Sequence, residues 1–375
     1  FIYESGTHVP LVIRFPKKWA HLSPHAAGSQ TAEIVGFVDF APTLLSLAGA
    51  KIPAHMQGRA FLGPKRSEAP PYAYNFRARA DERIDFKRGV TDGRYNYIRN
   101  YLAYLPTGQH VNYLWMNPVM PEWEALFKAG RTNAAQSAFF LPAPLEELFD
   151  LQSDPDEVNN LASDPNYREV LLRFRQANRD HLVHTHDTGF IPEALLVEWS
   201  RISGKSPYAI GRDAKQYPLE TILDSADALL DQGEKALPEL RELLAHSNPI
   251  VQYWALVNCM VLNTNDAKAT QRIMALTESP IAATRIAAAE HLARLGLKDP
   301  RPVLNDVLLN NANVMARLQA INALDHVSRS YPYDPAVFKR SEATWLLKSK
   351  DLTAEWMGRY DGYDVRVMEY LETLN

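Results

Sequence analysis

The chain reads as α/β plus all-α: the incomplete end of an α/β domain, a small antiparallel sheet subdomain, then an α-solenoid. Three observations carry that reading. A β-branched apolar run at 9–15 and a helix signal at 39–49 stand together at the start, with too little around them to make a core. Alternating segments flank an Asp92-Gly93 pair, the strongest short hairpin signal a sequence offers. Beyond Tyr217 strand signals stop, and an apolar pattern recurs about every 32–33 residues.

Residues 1–62 come first. A polar turn, Glu4-Ser5-Gly6-Thr7-His8, leads into Val9-Pro10-Leu11-Val12-Ile13-Arg14-Phe15, closed by Pro16, which predicts a buried strand that needs neighbours. In the following helix Asp39 is the expected N-cap, Pro42 suits the first turn, Leu44, Leu45 and Leu47 form the apolar face, and Gly49 ends it. A loop rich in Pro, Gly and charge, 51–71, closes this part.

Residues 63–192 predict a second subdomain. Strands are expected at 72–76, at 88–91 and 94–98 around the Asp92-Gly93 turn, and at 148–151. The stretch 101–145 is loop-like, stiffened by five prolines, with one short helix at 122–130. An amphipathic helix at 166–184, its face Val170, Leu171, Phe174, Ala177 and His181, should cover the sheet. Residues 187–193 break it, and 193–216 read as a linker.

In 217–330, superposing Gln252, Arg285 and Arg317 also superposes Ala255, Ala288 and Ala320, and brings Cys259, Leu292 and Leu324 into register. Small alanines let helices stack closely, and three such units are about the minimum that buries a continuous core. Residues 331–375, with Trp356, Tyr360, Tyr363 and Tyr370, read as a helical cap or tail.

With 375 residues, 46% of them hydrophobic, the chain can fill more than one core. Forty Lys and Arg against 44 Asp and Glu leave a net charge of −4, so nothing global draws it to nucleic acid. One cysteine excludes an internal disulfide, and no apolar run approaches the roughly 20 residues of a membrane span.

Four ordered segments resemble the sulfatase family, of the alkaline-phosphatase-like superfamily. Tyr3-Glu4-Ser5-Gly6-Thr7-His8-Val9-Pro10 is similar to its Tyr-Glu-Gly-Gly-x-Arg-Val-Pro segment, with Ser5 for the first glycine and His8 for the arginine. Val38-Asp39, Pro42-Thr43-Leu44-Leu45 and Leu47-Ala48-Gly49 resemble its Val-Asp-x-x-Pro-Thr-Leu-Leu-x-Leu-Ala-Gly helix. Gly93-Arg94-Tyr95-Asn96-Tyr97-Ile98 looks like its Gly-Arg-Tyr-Lys-Tyr-Ile hairpin. Glu147-Leu148-Phe149-Asp150-Leu151 with Asp154-Pro155, Glu157 and Asn160-Leu161 matches its Glu-Leu-Tyr-Asp-Leu signature. The helical period resembles HEAT repeats.

The resemblance implies hydrolysis of sulfate esters or sulfamates, on a glycan, by a formylglycine beside a calcium ion. In the family both precede the segment at which this chain begins. Cys259 has neither the proline two places on nor the arginine four places on that the Cys-x-Pro-x-Arg motif demands. The expectation is therefore a C-terminal portion without nucleophile or metal ligands, inactive alone and partnered by an N-terminal catalytic half, with protein contacts open to its repeats. The family implies a periplasmic or extracellular location. Two alternatives stand beside it: a phosphodiesterase or phosphonate hydrolase of the same superfold, and a non-catalytic repeat module.

His8 is the candidate catalytic residue, since the resemblance places its turn near the active-site floor; the alternative is a turn residue bonded only locally. Arg77 and Arg79 are candidate substrate-binding residues, their guanidinium forks suited to sulfate oxygens. Against that, Ala78 replaces an aspartate of the family pattern, and the cluster can pair internally with Asp81, Glu82 and Asp85. His181, His184 and His186 invite a zinc reading that helical spacing disfavours. The aromatics Tyr101, Tyr104, Tyr113, Trp115 and Trp123 suit a sugar-stacking wall or loop packing equally. Asp154, Asp156 and Glu157 read as a turn, lacking the glycine and spacing of a calcium loop.

Overall fold

At the hairpin, Gly93 takes φ +86° and the Asp92 carboxylate accepts from the N–H groups of Arg94 (3.0 Å) and Tyr95 (2.8 Å). A side chain that bonds the backbone just ahead of it, followed by a left-handed glycine, is what folds a strand back on itself. The computed structural model describes residues 1–334 and 362–374. Four antiparallel strands, β1 (Ala73–Ala80), β2 (Arg83–Thr91), β3 (Tyr95–Asn100) and β4 (Glu146–Asp150), form one sheet in sequential order. Val90 stands opposite Tyr97, and Tyr97 opposite Leu148.

The chain divides into two units, the first made of Phe1–Arg77, Lys87–Asn100 and Glu146–Thr185. Its helices are α1 (Phe40–Leu47) and α2 (Arg168–Thr185). Leu171 and Phe174 of α2 pack on Val90, Tyr95, Tyr97 and Leu148 as its period predicts, with Val170 and Ala177 at the margin. Phe174, Tyr97 and Leu148 are fully buried, and each such side chain contributes about 2 kcal/mol of hydrophobic stabilisation.

The second unit comprises Ala78–Phe86, Tyr101–Leu145 and the residues from His186 onward. Its helices include α3 (Val119–Lys128), α4 (Glu193–Ser203), α5 (Leu219–Asp227), α6 (Leu237–Leu243), α7 (Pro249–Leu262), α8 (Ala267–Leu276), α9 (Ala282–Arg294), α10 (Arg301–Asn310), α11 (Val314–His326) and α12 (Tyr363–Leu374). The inner helices α7, α9 and α11 stack in order. Ala255, Ala288 and Ala320 are fully buried at equivalent positions, with Cys259, Leu292 and Leu324 a turn later, so the period read from the sequence is the repeat of the solenoid.

Four expectations are corrected. Residues 9–15 form no strand: Val12 is 92% exposed, and Val9, Leu11 and Ile13 also face outward. The sheet is built wholly from 73–150, so the run has no ladder to join. Asp39 does not cap α1 but accepts from the N–H groups of Gly36 (3.0 Å) and Arg59 (2.8 Å). The buried face of α1 is Pro42, Thr43 and Ser46, whose hydroxyls accept from the N–H groups of Phe61 and Lys65, while Leu44 is exposed. Finally, 193–216 is no linker: α4 buries Ala194, Leu195, Leu196 and Val197, and a second short helix covers Pro207–Ile210. The expected cap with Trp356 and Tyr360 lies outside the described residues; Tyr363 and Tyr370 fall in α12.

Candidate functional site

The turn that carries His8 is a single helical turn, Glu4–Thr7, seated on the polar face of the sheet. Alternation along β3 turns Asn96, Ile98 and Asn100 to the face opposite α2, and Glu147 and Phe149 of β4 join them. Ile2 is buried against Gly89, where a Cβ would lie 3.3 Å from both the Ile2 side chain and the Tyr97 carbonyl. The missing side chain makes room for the turn.

Two carboxylates fasten it. The Tyr3 hydroxyl donates to Glu147 Oε2 (2.9 Å), whose other oxygen accepts from Asn100 (2.6 Å). The Glu4 N–H donates to Glu157 Oε2 (2.6 Å), whose other oxygen accepts from Asn96 (2.7 Å). Burial raises the Glu157 carboxyl above its ordinary range, and these two donors pull it back only in part. Sequence reading took Asp154, Asp156 and Glu157 for a turn. Asp154 does cap it, accepting from Val158 and Asn159, but the role of Glu157 as a tether depends on residues some 150 positions away and had no local signal.

Above this seat His8 Nδ1 lies 2.6 Å from Glu4 Oε1, with the His8 side chain 76% exposed. A carboxylate on one ring nitrogen fixes the tautomer and leaves the other available to a ligand. Arg77 lies 4.7 Å from the ring of Phe1 in the same unit.

In the second unit Arg79 is held by Glu193 (2.9 Å) and lies 4.7 Å from the Tyr363 ring. The charged tip of the β1–β2 hairpin is buried: Arg83, 1% exposed, donates to Asp325 (2.6 Å), Asn322 (3.1 Å) and the His110 carbonyl. Asn322 donates back to the Glu82 carbonyl (2.9 Å). Arg79 and Arg83 are thus paired with Glu193 and Asp325, carboxylates far along the chain, and not within a solvated loop.

His181 stacks on Tyr74 at 3.7 Å, and His184 and His186 are exposed. Among the described residues no three His, Cys, Asp or Glu side chains gather as a cation would need. Burial pushes the Cys259 thiol up to about 12, so it is not a nucleophile at neutral pH. Of the aromatics, Tyr101 is buried with Phe86, Phe190 and Trp254, Trp115 donates to Glu124, and Trp123 stacks on Phe139. Tyr113 alone of the five is largely exposed. No described helix is long and apolar enough to cross a membrane.

Comparison with known proteins bears on these residues directly. The family described as "N-sulphoglucosamine sulphohydrolase, C-terminal" matches residues 1–106, and HEAT repeats match 237–325. An ulvan-active sulfatase of Formosa agariphila is 38% identical over 201 residues, 52% of this chain and 32% of its own length. A second ulvan-active sulfatase of the same organism is 31% identical over 175 residues, 45% of this chain and 32% of its own. Human N-sulphoglucosamine sulphohydrolase is 24% identical over 220 residues, 52% and 41% respectively. The chain spans about a third of the length of the first of these relatives.

Proposed function

We propose that this chain, whose residues 1–106 match the C-terminal part of N-sulphoglucosamine sulphohydrolases and whose residues 237–325 match HEAT repeats, serves in the hydrolysis of sulfate esters or sulfamates on a glycan. In this reading residues 1–192 supply part of the substrate pocket wall, and the nucleophile and its metal come from sulfatase sequence outside this chain. The observation that carries it is the 38% identity to an ulvan-active sulfatase over 201 residues, which favours a sulfated polysaccharide as substrate class. The exposed apolar run 9–15 supports the partner: Val12 and its neighbours are strand formers left in water, where further α/β sequence would cover them.

His8 is the one candidate here with acid–base chemistry to offer. Glu4 holds its Nδ1, and its Nε2 would bond a substrate oxygen or exchange a proton with it. Arg77, on the same unit, and Arg79, which also pairs with Glu193, are the candidates for sulfate oxygens. A periplasmic or extracellular site of action belongs to the same proposal.

The experiment is complementation. This chain is mixed with a separately expressed N-terminal sulfatase half carrying the formylglycine, and sulfate release is followed from an aryl sulfate and from ulvan oligosaccharides. Turnover is expected only from the pair. Activity of this chain alone, or a pair that binds yet releases no sulfate, would overturn the proposal.

A further inference from the structure

A cavity of about 620 Å³ opens in the second unit where the C-terminal ends of the three inner helices meet the loop segments at 103–104 and 142–145. Its size is that of an ordinary small-molecule site. Met260, Arg294 and His326 come from α7, α9 and α11, so the repeat period brings equivalent helix ends to one wall. Tyr104 and Pro142 also line it.

Its charge is one-sided. Arg294, Arg329 and His326 line it, and none of its lining residues is acidic. His326 is already engaged, with Nδ1 2.8 Å from buried Glu290 and Nε2 3.4 Å from Gln109 Oε1. The arginines are not. Neither has a carboxylate partner among the described residues, and Arg294 Nε is buried without any hydrogen bond. Cations near helix C-termini ordinarily offset the helix dipole by bonding the last carbonyls. Arg294 makes no such bond through its buried Nε and lies instead 5.1 Å from the Tyr104 ring.

We propose that this cavity is an accessory site for an acidic saccharide, its sulfate or carboxylate taken by Arg294 and Arg329 and its ring set against Tyr104 and Pro142. A guanidinium with free donors suits planar or tetrahedral oxyanions, and an aromatic and proline wall suits the apolar face of a sugar. The choice of a saccharide over another anion rests on the sulfatase reading; the presence of an anion site does not.

Calorimetric titration of the whole chain tests it, with a sulfated, uronate-containing tetrasaccharide, the desulfated and carboxyl-reduced form, inorganic sulfate and an acidic peptide as probes. The sulfated tetrasaccharide should bind and its neutral form should not. Arg329→Ala, at an exposed position, and Arg294→Ala should each weaken binding about ten- to a hundredfold, with Arg294→Lys falling between. Thermal melting confirms that the variants fold. Binding that ignores both substitutions, preference for the peptide, or no saccharide binding by the folded chain would overturn the site. Binding and turnover are measured apart, so failed complementation with intact binding sinks only the sulfatase proposal.

Discussion

Arg79 and Glu193 meet as a two-pronged ion pair, Nε to Oε2 at 2.9 Å and Nη2 to Oε1 at 3.3 Å. The pair joins the tip of the β1–β2 hairpin to the first turn of α4, and it occupies a guanidinium whose sequence position suggested sulfate recognition. Both side chains keep partial exposure, so the expected coupling in an Arg79→Ala, Glu193→Ala double-mutant cycle is modest, about 1 kcal/mol in urea unfolding. Additive single effects would mean the contact is incidental.

Arg83 should be far less replaceable. It is 1% exposed and its removal strands Asp325, Asn322 and the His110 carbonyl together. Arg83→Met is expected to cost about 3–5 kcal/mol, several times the effect at Arg79. Equal losses at the two positions in the same denaturation experiment would refute the assignment of the hairpin tip as a buried anchor.

The N-terminal turn is tethered by hydrogen bonds as well as packed through Ile2. Glu157→Ala removes the acceptor of the Glu4 N–H and leaves the Asn96 amide with only the longer bond to the Ile2 carbonyl, at an expected cost of about 1–2 kcal/mol. The distinguishing readout is local: amide exchange at Gly6, Thr7 and His8 should rise while the repeat helices stay protected. Uniform protection across the turn would show that burial of Ile2 suffices to hold it.

Acid should weaken the second unit before the carboxylates titrate. His110 and His291 are both pushed down to about 4, chiefly by burial. In the unfolded chain they take up protons near 6.5, so between 6.5 and about 4 the unfolded state binds more protons than the folded one. Stability from these groups is complete above 6.5 and is lost as pH falls. Fully buried His291 contributes a slope of up to about 1.4 kcal/mol per pH unit, and partly exposed His110 contributes less. Urea unfolding at pH 6.5 and 5 should reveal this, and His291→Leu should remove its share; an unchanged slope would contradict the buried neutral imidazole.

The exposed run makes a prediction with two halves. Val12→Asp, at a side chain 92% exposed, should leave the stability of this chain within about 0.5 kcal/mol. It should nevertheless abolish complementation by an N-terminal sulfatase half, because an apolar run covered by that half cannot bury an unpaired carboxylate. Normal complementation would mean that 9–15 is a surface loop in the assembled protein as well.

Much of the architecture was written in local sequence. The Asp92-Gly93 hairpin, the face of α2 through Leu171 and Phe174, and the solenoid repeat through Ala255, Ala288 and Ala320 depend on contacts within a turn, a helix period or one repeat, and each was legible. Position 193–216 was not, because α4 begins straight after Pro192 without a capping side chain and its buried residues form a nearly continuous run without a polar stripe to set the period.

What only the tertiary structure decided concerns residues whose role is defined by distant partners. Composition and motif made Asp39 a helix cap, Arg79 a candidate sulfate ligand and Glu157 a turn residue. Arg59, Glu193 and the Glu4 N–H, respectively, are what they bind. Charged and polar side chains take whichever complementary group the fold delivers within about 3 Å, and no local pattern encodes that delivery. Apolar periodicity, by contrast, was enough to set the inward face of α2 and of the repeat helices, where the stripe is long, but not that of α1, where Thr43 and Ser46 are buried and Leu44 is exposed.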